Sequence, residues 1–173
     1  MNKKLVVACG LDPGSGLRSP TGFAIIDPEK RELLHCQTFG SKHDLASHRI
    51  KEIADNFRKV IESVGLNYKA VVYCENFVMR GKGGETLARL TGALLAAIPY
   101  DVEMEFVHNI TMKKLVGGNG KAEKLQVAEG CMKWLRDADA PIIQQFIDEE
   151  NWDITDAIGL AIAGNMISEA ADA

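Results

Sequence analysis

The feature that most constrains the fold is an apolar run near the N-terminus that stops at a carboxylate. Residues 5–11 are Leu-Val-Val-Ala-Cys-Gly-Leu, and Asp12, Pro13 and Gly14 follow. A run this short and this apolar predicts a buried strand in a sheet that is covered on both faces. Because Pro and Gly turn the chain, we expect Asp12 to lie at the strand end, where a buried element meets solvent.

Three further carboxylates stand where the sequence predicts an element to begin or end. Residues 70–74 form a second apolar run that ends at Glu75, where an ionised side chain needs a cation or hydrogen-bond donors around it. Asp153 and Asp156 open a predicted helix and share one of its faces, so they repel unless something positive lies between them. The alternatives are a turn residue at Asp12 and acids that complement the helix dipole.

We predict that these four carboxylates converge on divalent metal ions. Oxygen-only ligands select hard cations, so we expect two Mg²⁺ ions per site, with Mn²⁺ able to substitute. Carboxylates that hold two ions about 3.5–4 Å apart are the usual apparatus of phosphodiester cleavage. One ion lowers the pKa of the attacking water and the other stabilises the leaving oxygen. The sequence therefore indicates a nuclease.

Length and composition are those of an ordinary globular protein. The chain has 173 residues, of which 46% are hydrophobic and 25% charged, and we expect residues 1–173 to form one domain with a real core. We expect no membrane segment and no secretion signal, and four reduced cysteines in a cytoplasmic protein. The net charge of −4 argues mildly against nucleic-acid binding, unless the basic residues lie on one face.

The apolar periodicity predicts a mixed α/β sheet with helices on both faces. Residues 21–27 and 32–39 follow the first strand over short connections, which predicts antiparallel hairpins. Helical spacing begins at Asp44 and ends at Gly65. Strands then alternate with helices, and residues 137–150 stay unassigned. The predicted strands are 69–75 and 102–107, and the predicted helices are 85–98, 110–116, 121–135 (with Leu125 facing inward) and 153–168.

Four blocks of the sequence together resemble one known family. Residues 10–14 with 21–26 resemble its first hairpin, residues 75–79 its second acidic motif, residues 113–124 its basic segment and residues 153–161 its closing motif. The family is that of the RuvC-type Holliday junction resolvases, in the RNase H-like superfamily. The blocks come in the family's order and span nearly the whole chain.

The resemblance implies an RNase H-like fold with a five-stranded mixed sheet, in which three antiparallel strands precede the parallel ones. It implies that Asp12, Glu75, Asp153 and Asp156 are the metal ligands. It also implies a homodimer that binds branched DNA and resolves four-way junctions by paired nicks, leaving 5′-phosphate ends. Such a protein is expected in the cytoplasm of a bacterium or of a phage-infected host cell.

The basic segment supplies the expected phosphate contacts. Lys113 and Lys124 match the family's functional lysines, which implies contact with phosphate near the scissile bond. A lysine is a point charge suited to that task. Lys114 and Lys121 are further candidates for DNA contact, although Lys121 could equally be a solvated residue after a turn.

The loop after the second acidic motif departs from the family's pattern. The family usually has an aromatic residue three positions after the glutamate, which wedges open the junction, and this chain has Val78 there. Phe77 or Met79 could substitute for it. Arg80 and Lys82 lie in a Gly-rich stretch that suits flexible backbone contact with DNA, or else is a solvated loop.

Three other functions stay open at this point. The acidic net charge is unlike that of a cellular resolvase, so a phage-borne relative that cuts branched DNA more broadly is one alternative. An actin-like ATPase also opens with an Asp-x-Gly turn and a hairpin, but it needs two comparable lobes, and residues 117–120 lack the P-loop pattern. A junction-binding scaffold is the third, although it would not need four intact acids.

Overall fold

The computed structural model describes residues 4–15, 19–76 and 84–173. The predictions made for Phe77, Val78, Met79, Arg80 and Lys82 lie outside these residues. The described chain is built around one five-stranded sheet. Its strands are β1 (Val6–Asp12), β2 (Thr21–Asp27), β3 (Glu32–Phe39), β4 (Lys69–Asn76) and β5 (Glu103–His108).

The strands lie in the order β3-β2-β1-β4-β5. Strand β2 pairs antiparallel with both β1 and β3, whereas β4 pairs parallel with both β1 and β5. The mixed sheet predicted from the short hairpin connections is therefore confirmed. Strand β2 is buried along its whole length, because both faces of the sheet are covered, and this is why residues 23–26 in its middle are continuously apolar rather than alternating.

Helices cover both faces of the sheet, as predicted. Apolar side chains such as Cys9 and Phe23 pack on one face with two helices, and side chains such as Ala8 and Ala24 pack on the other face with four. The helices are α1 (Ala46–Asn67) and α2 (Gly84–Ala97) on the first face, and α3 (Asn109–Val116), α4 (Lys124–Trp134), α5 (Ala140–Asp148) and α6 (Trp152–Asp172) on the second. Within the described ranges, no helix is both long and apolar enough to cross a membrane.

Helix α4 differs from the sequence prediction in its start and in one inward residue. It begins at Lys124 rather than three residues earlier, because the Glu123 and Gln126 side chains each accept a backbone N–H of the other in a capping box. Leu125 was predicted to face inward, and this is wrong: its side chain is 47% exposed. Val127 is buried against the core instead.

The backbone of α6 lies directly on the two central strands β1 and β2. A Cβ atom on Gly10 would be 1.7 Å from the carbonyl oxygen of Ala157, and one on Gly22 would be 1.9 Å from the carbonyl oxygen of Asp153. Only glycine permits so close an approach. This contact between main-chain atoms fixes where the first turn of α6 stands on the sheet.

Candidate active site

The four predicted acids stand at one edge of the sheet, where the central strands end and α6 begins. Asp12 is the last residue of β1, and Glu75 is close to the end of β4, which runs parallel to β1. Asp153 and Asp156 lie in the first two turns of α6. Gly22 pairs with Asp12 across the sheet and lies under the Asp153 carbonyl, which places this part of α6 beside the strand ends.

The four acids are near enough for their charges to raise the pKa of two of them, Asp12 and Asp156. Burial raises the pKa of Asp12 well above its ordinary value, and the charges of Glu75, Asp156 and Asp153 raise it further. Burial also raises the pKa of Asp156; nearby Lys124 lowers it in part, and Glu75 and Asp153 add to the rise. A cluster of partly buried carboxylates that disfavour one another's ionised form favours a bound cation.

Three of the acids each accept a hydrogen bond from a different element. Asn109 Nδ2 donates to Glu75 Oε1 at 2.7 Å, and Ser19 Oγ donates to Asp153 Oδ1 at 2.9 Å. Lys124 Nζ lies 3.4 Å from Asp156 Oδ2, and the Asp156 side chain is only 15% exposed. Each carboxylate is thereby oriented by a group from another part of the chain.

Sequence reasoning missed Ser19 and Asn109. Asn109 carries a signal that could have found it, because it follows β5 directly and so stands at a strand end, as Asp12 does. Ser19 carries no such signal, since a serine between two strands is an ordinary loop residue.

The donor set fits a hard divalent cation, although its members are not gathered into a closed cage. Among the residues described, no three or more His, Cys, Asp and Glu side chains are placed as ligands of one metal ion. Ionised carboxylates repel one another, so we expect these four side chains to come within ligand distance of one another only when a cation lies between them. The chemistry of the set, oxygen atoms from carboxylates alone, is that of an Mg²⁺ or Mn²⁺ site.

The four predicted lysines divide into one that contacts the acids and three that do not. Lys124 contacts Asp156, one of the predicted metal ligands. Lys113 is half-buried on α3, one helical turn after Asn109. Lys114 and Lys121 are exposed, so both are free to meet a DNA backbone.

The cysteines take no part in this site. All four thiols are free, and Cys9, Cys74 and Cys131 are buried, which confirms that these three are core residues. Burial raises the pKa of the Cys9 thiol to about 12. A thiol so rarely ionised at neutral pH is a poor nucleophile and a poor metal ligand.

The fold of this chain matches that of a protein of known structure. T. thermophilus RuvC in complex with Holliday junction substrate superimposes with a TM-score of 0.69 at 18% sequence identity, covering 95% of this chain and 96% of that one. The sheet order, the helices on both faces and the acids at the strand ends define an RNase H-like fold with a candidate nuclease site.

The family follows from the sequence match. Residues 8–164 match the family model for crossover junction endodeoxyribonuclease RuvC. The chain belongs to the RuvC family of crossover junction endodeoxyribonucleases. This assignment leaves the actin-like ATPase alternative without support.

Two bacterial relatives agree with this assignment. The crossover junction endodeoxyribonuclease RuvC of Koribacter versatilis is 29% identical over 157 residues, which cover 88% of this chain and 88% of the relative. The protein of the same name from Wigglesworthia glossinidia brevipalpis is 31% identical over 128 residues, or 70% of this chain and 74% of the relative.

Proposed function

We propose that this chain is a metal-dependent endodeoxyribonuclease, formed as one nuclease domain, that resolves four-way DNA junctions by paired nicks. The observation that carries the proposal is the meeting of Asp12, Glu75, Asp153 and Asp156 at one sheet edge, with Lys124 beside them. Membership of the RuvC family supports the substrate, because the related T. thermophilus protein is known in complex with a Holliday junction.

The four carboxylates would hold two Mg²⁺ ions, or Mn²⁺ in their place. When bound, the ions lower the pKa of the attacking water and stabilise the leaving oxygen. Asp12 and Glu75 present their carboxylates from two neighbouring strands, and Asp153 and Asp156 present theirs from a helix seated on the same sheet. The ligands are therefore carried by rigid elements, which keeps them preorganised for the reaction.

The lysines and residues 77–82 would hold the DNA around this site. Lys113 and Lys124 neutralise the phosphate beside the scissile bond, while exposed Lys114 and Lys121 contact the backbone further away. We propose that Phe77 or Met79 packs against a base and that Arg80 and Lys82 contact phosphates. Paired symmetric nicks need two active sites, so we propose a homodimer that acts in the cytoplasm.

A panel of synthetic DNA substrates tests the proposal. With Mg²⁺ present, we expect nicks at symmetric positions in a four-way junction, with 5′-phosphate ends that a ligase can seal, and no cutting of linear duplex of the same sequence. Removing the metal with EDTA should stop cutting. Cleavage that persists in EDTA would contradict the metal assignment, and equal cutting of linear duplex would contradict structure selectivity.

A broader branched-DNA nuclease is the second candidate. Val78, where the family usually has an aromatic residue, and the net charge of −4 favour it. The same panel separates the two candidates, because flaps and splayed arms should be cut as fast as four-way junctions by the broader enzyme and much more slowly by a strict resolvase.

Replacing Lys113 or Lys124 by Ala is expected to slow nicking and to weaken the salt dependence of junction binding. Each phosphate contact that is lost should reduce the slope of log affinity against log salt by about 0.9. Binding titrations at several NaCl concentrations measure that slope, and single-turnover cleavage measures the rate. Lys133→Ala, at the other end of α4 from Lys124, is the matched control. If Lys113→Ala and Lys124→Ala behave as Lys133→Ala does, neither lysine belongs to the site.

A further inference from the structure

Two side-chain bridges join the end of β4 to the start of α3. Asn109 Nδ2 donates to Glu75 Oε1 at 2.7 Å, and the Asn76 amide lies 3.3 Å from His108 Nε2. Asn76 and His108 are also paired in the β4–β5 register. Two consecutive residues of one strand are thus tied to two consecutive residues at the β5–α3 junction.

The Asn109 bridge orients Glu75 without neutralising it. An ionised carboxylate only accepts hydrogen bonds, so the amide group must face Glu75 with its N–H₂. This donor carries no charge, whereas Asp156 has a lysine ammonium group as its partner. The bond therefore fixes the orientation of the carboxylate while bringing no positive charge that would compete with a cation.

Helix α3 is anchored independently of this bridge. Met112 is buried, and its sulfur would lie 3.1 Å from a Cβ atom placed on Gly159 of α6, so the two are in close contact. Asn109 itself is only half-buried. Lys113 follows Asn109 by one turn and lies on the same face of α3. The helix can thus stay in place when the Asn109 side chain is changed.

We propose that Asn109 is a positioning residue of the metal site: it sets the orientation of the Glu75 carboxylate toward the cation. The inference deepens the proposed function and rests on it. Partners of metal-ligating side chains typically contribute 10–100-fold to metal affinity or activity, which gives the size of the expected effect.

Asn109→Ala should raise the Mg²⁺ concentration for half-maximal nicking about tenfold, while the rate at saturating Mg²⁺ stays close to that of the unchanged protein. Without DNA, the same variant should need about tenfold more Mn²⁺ for a given rise in melting temperature. Junction binding in EDTA should not change. Asn109→Leu, which keeps the side-chain volume, should behave as Asn109→Ala does.

Asn165→Ala is the matched control, because Asn165 Nδ2 donates to Glu169 Oε1 at 3.0 Å on the exposed part of α6. If both Asn109 variants keep the Mg²⁺ and Mn²⁺ dependence of the Asn165 variant, the inference is overturned. A rate that falls equally at every Mg²⁺ concentration, with unchanged metal binding, would also overturn it. If the unchanged protein and the control both fail to nick junctions with Mg²⁺, it is the proposed function that fails.

Discussion

Glu75→Gln is expected to lower the rate of Mg²⁺-dependent junction nicking by at least about a thousandfold. Metal-assisted catalysis supplies several kcal/mol of transition-state stabilisation, and about 4 kcal/mol corresponds to a thousandfold. The hydrogen bond to Asn109 makes the change more severe than the loss of one charge. The Gln oxygen would take the position that faces Asn109 Nδ2, and its N–H₂ group, which cannot bind a cation, would then face the other acids.

The Glu75→Gln protein should bind junctions normally although it no longer cleaves them. Junction affinity in EDTA is expected to match that of the unchanged protein, because the substitution is isosteric and removes no positive charge. Single-turnover cleavage and a gel-shift titration measure the two quantities. Glu85→Gln, an exposed glutamate of α2 that pairs with Arg89, is the matched control. Cleavage by Glu75→Gln at the control's rate would show that the metal assignment is wrong.

Gly22→Ala is expected to destabilise the protein by about 1–3 kcal/mol and to lower the nicking rate about a hundredfold. The added Cβ would stand 1.9 Å from the Asp153 carbonyl oxygen, and this neighbour is backbone that no rotamer change can move. Overpacking of this kind costs about 1–3 kcal/mol. The first turn of α6 must lift from β2 and take Asp153 and Asp156 with it, and a displacement of about 1 Å can cost a hundredfold in rate.

Urea unfolding measures the free energy of unfolding, and cleavage of a four-way junction measures the rate. Gly92→Ala is the control, since a Cβ atom on Gly92 of α2 would meet nothing within 4 Å. That variant should be unchanged in rate and stabilised by about 0.5–1 kcal/mol, because Ala is the better helix former. A Gly22→Ala protein with normal stability and normal rate would contradict the close seating of α6.

The sheet could be predicted because its strands carry their own signal. Strand β2 was predicted with the bounds Thr21–Asp27 that it has, since a strand buried on both faces carries a continuous apolar run between its ends. The segment before α6 could not be predicted. It begins with a 3₁₀ turn, Asp137–Asp139. The Asp139 side chain accepts a hydrogen bond from the backbone of Leu33 at 2.9 Å and one from Arg136 at 3.2 Å. A contact across 106 residues leaves no local pattern.

The residues of the candidate site also differ in whether the sequence alone could reveal them. Asp12 and Glu75 could be found because a carboxylate that ends an apolar run is visible in the sequence alone. Ser19 could not be found, because only its contact with Asp153, 134 residues away, marks it. Asn109 was missed although it directly follows β5. Leu125 was misplaced because an apolar residue three positions before Ala128 fits the helical spacing, whereas the structure buries Val127 in the first turns of α4 instead.

The contact between α6 and the central strands limits how the sequences of such chains can change. At Gly10 and Gly22 the helix meets main chain rather than side chains, so substitutions of different bulk cannot adjust the spacing between the strand-borne and helix-borne acids. The lysines, in contrast, sit on α3, on α4 and in the turn between them. The main chain therefore sets the distance between the two pairs of acids, whereas the lysines can change without altering it.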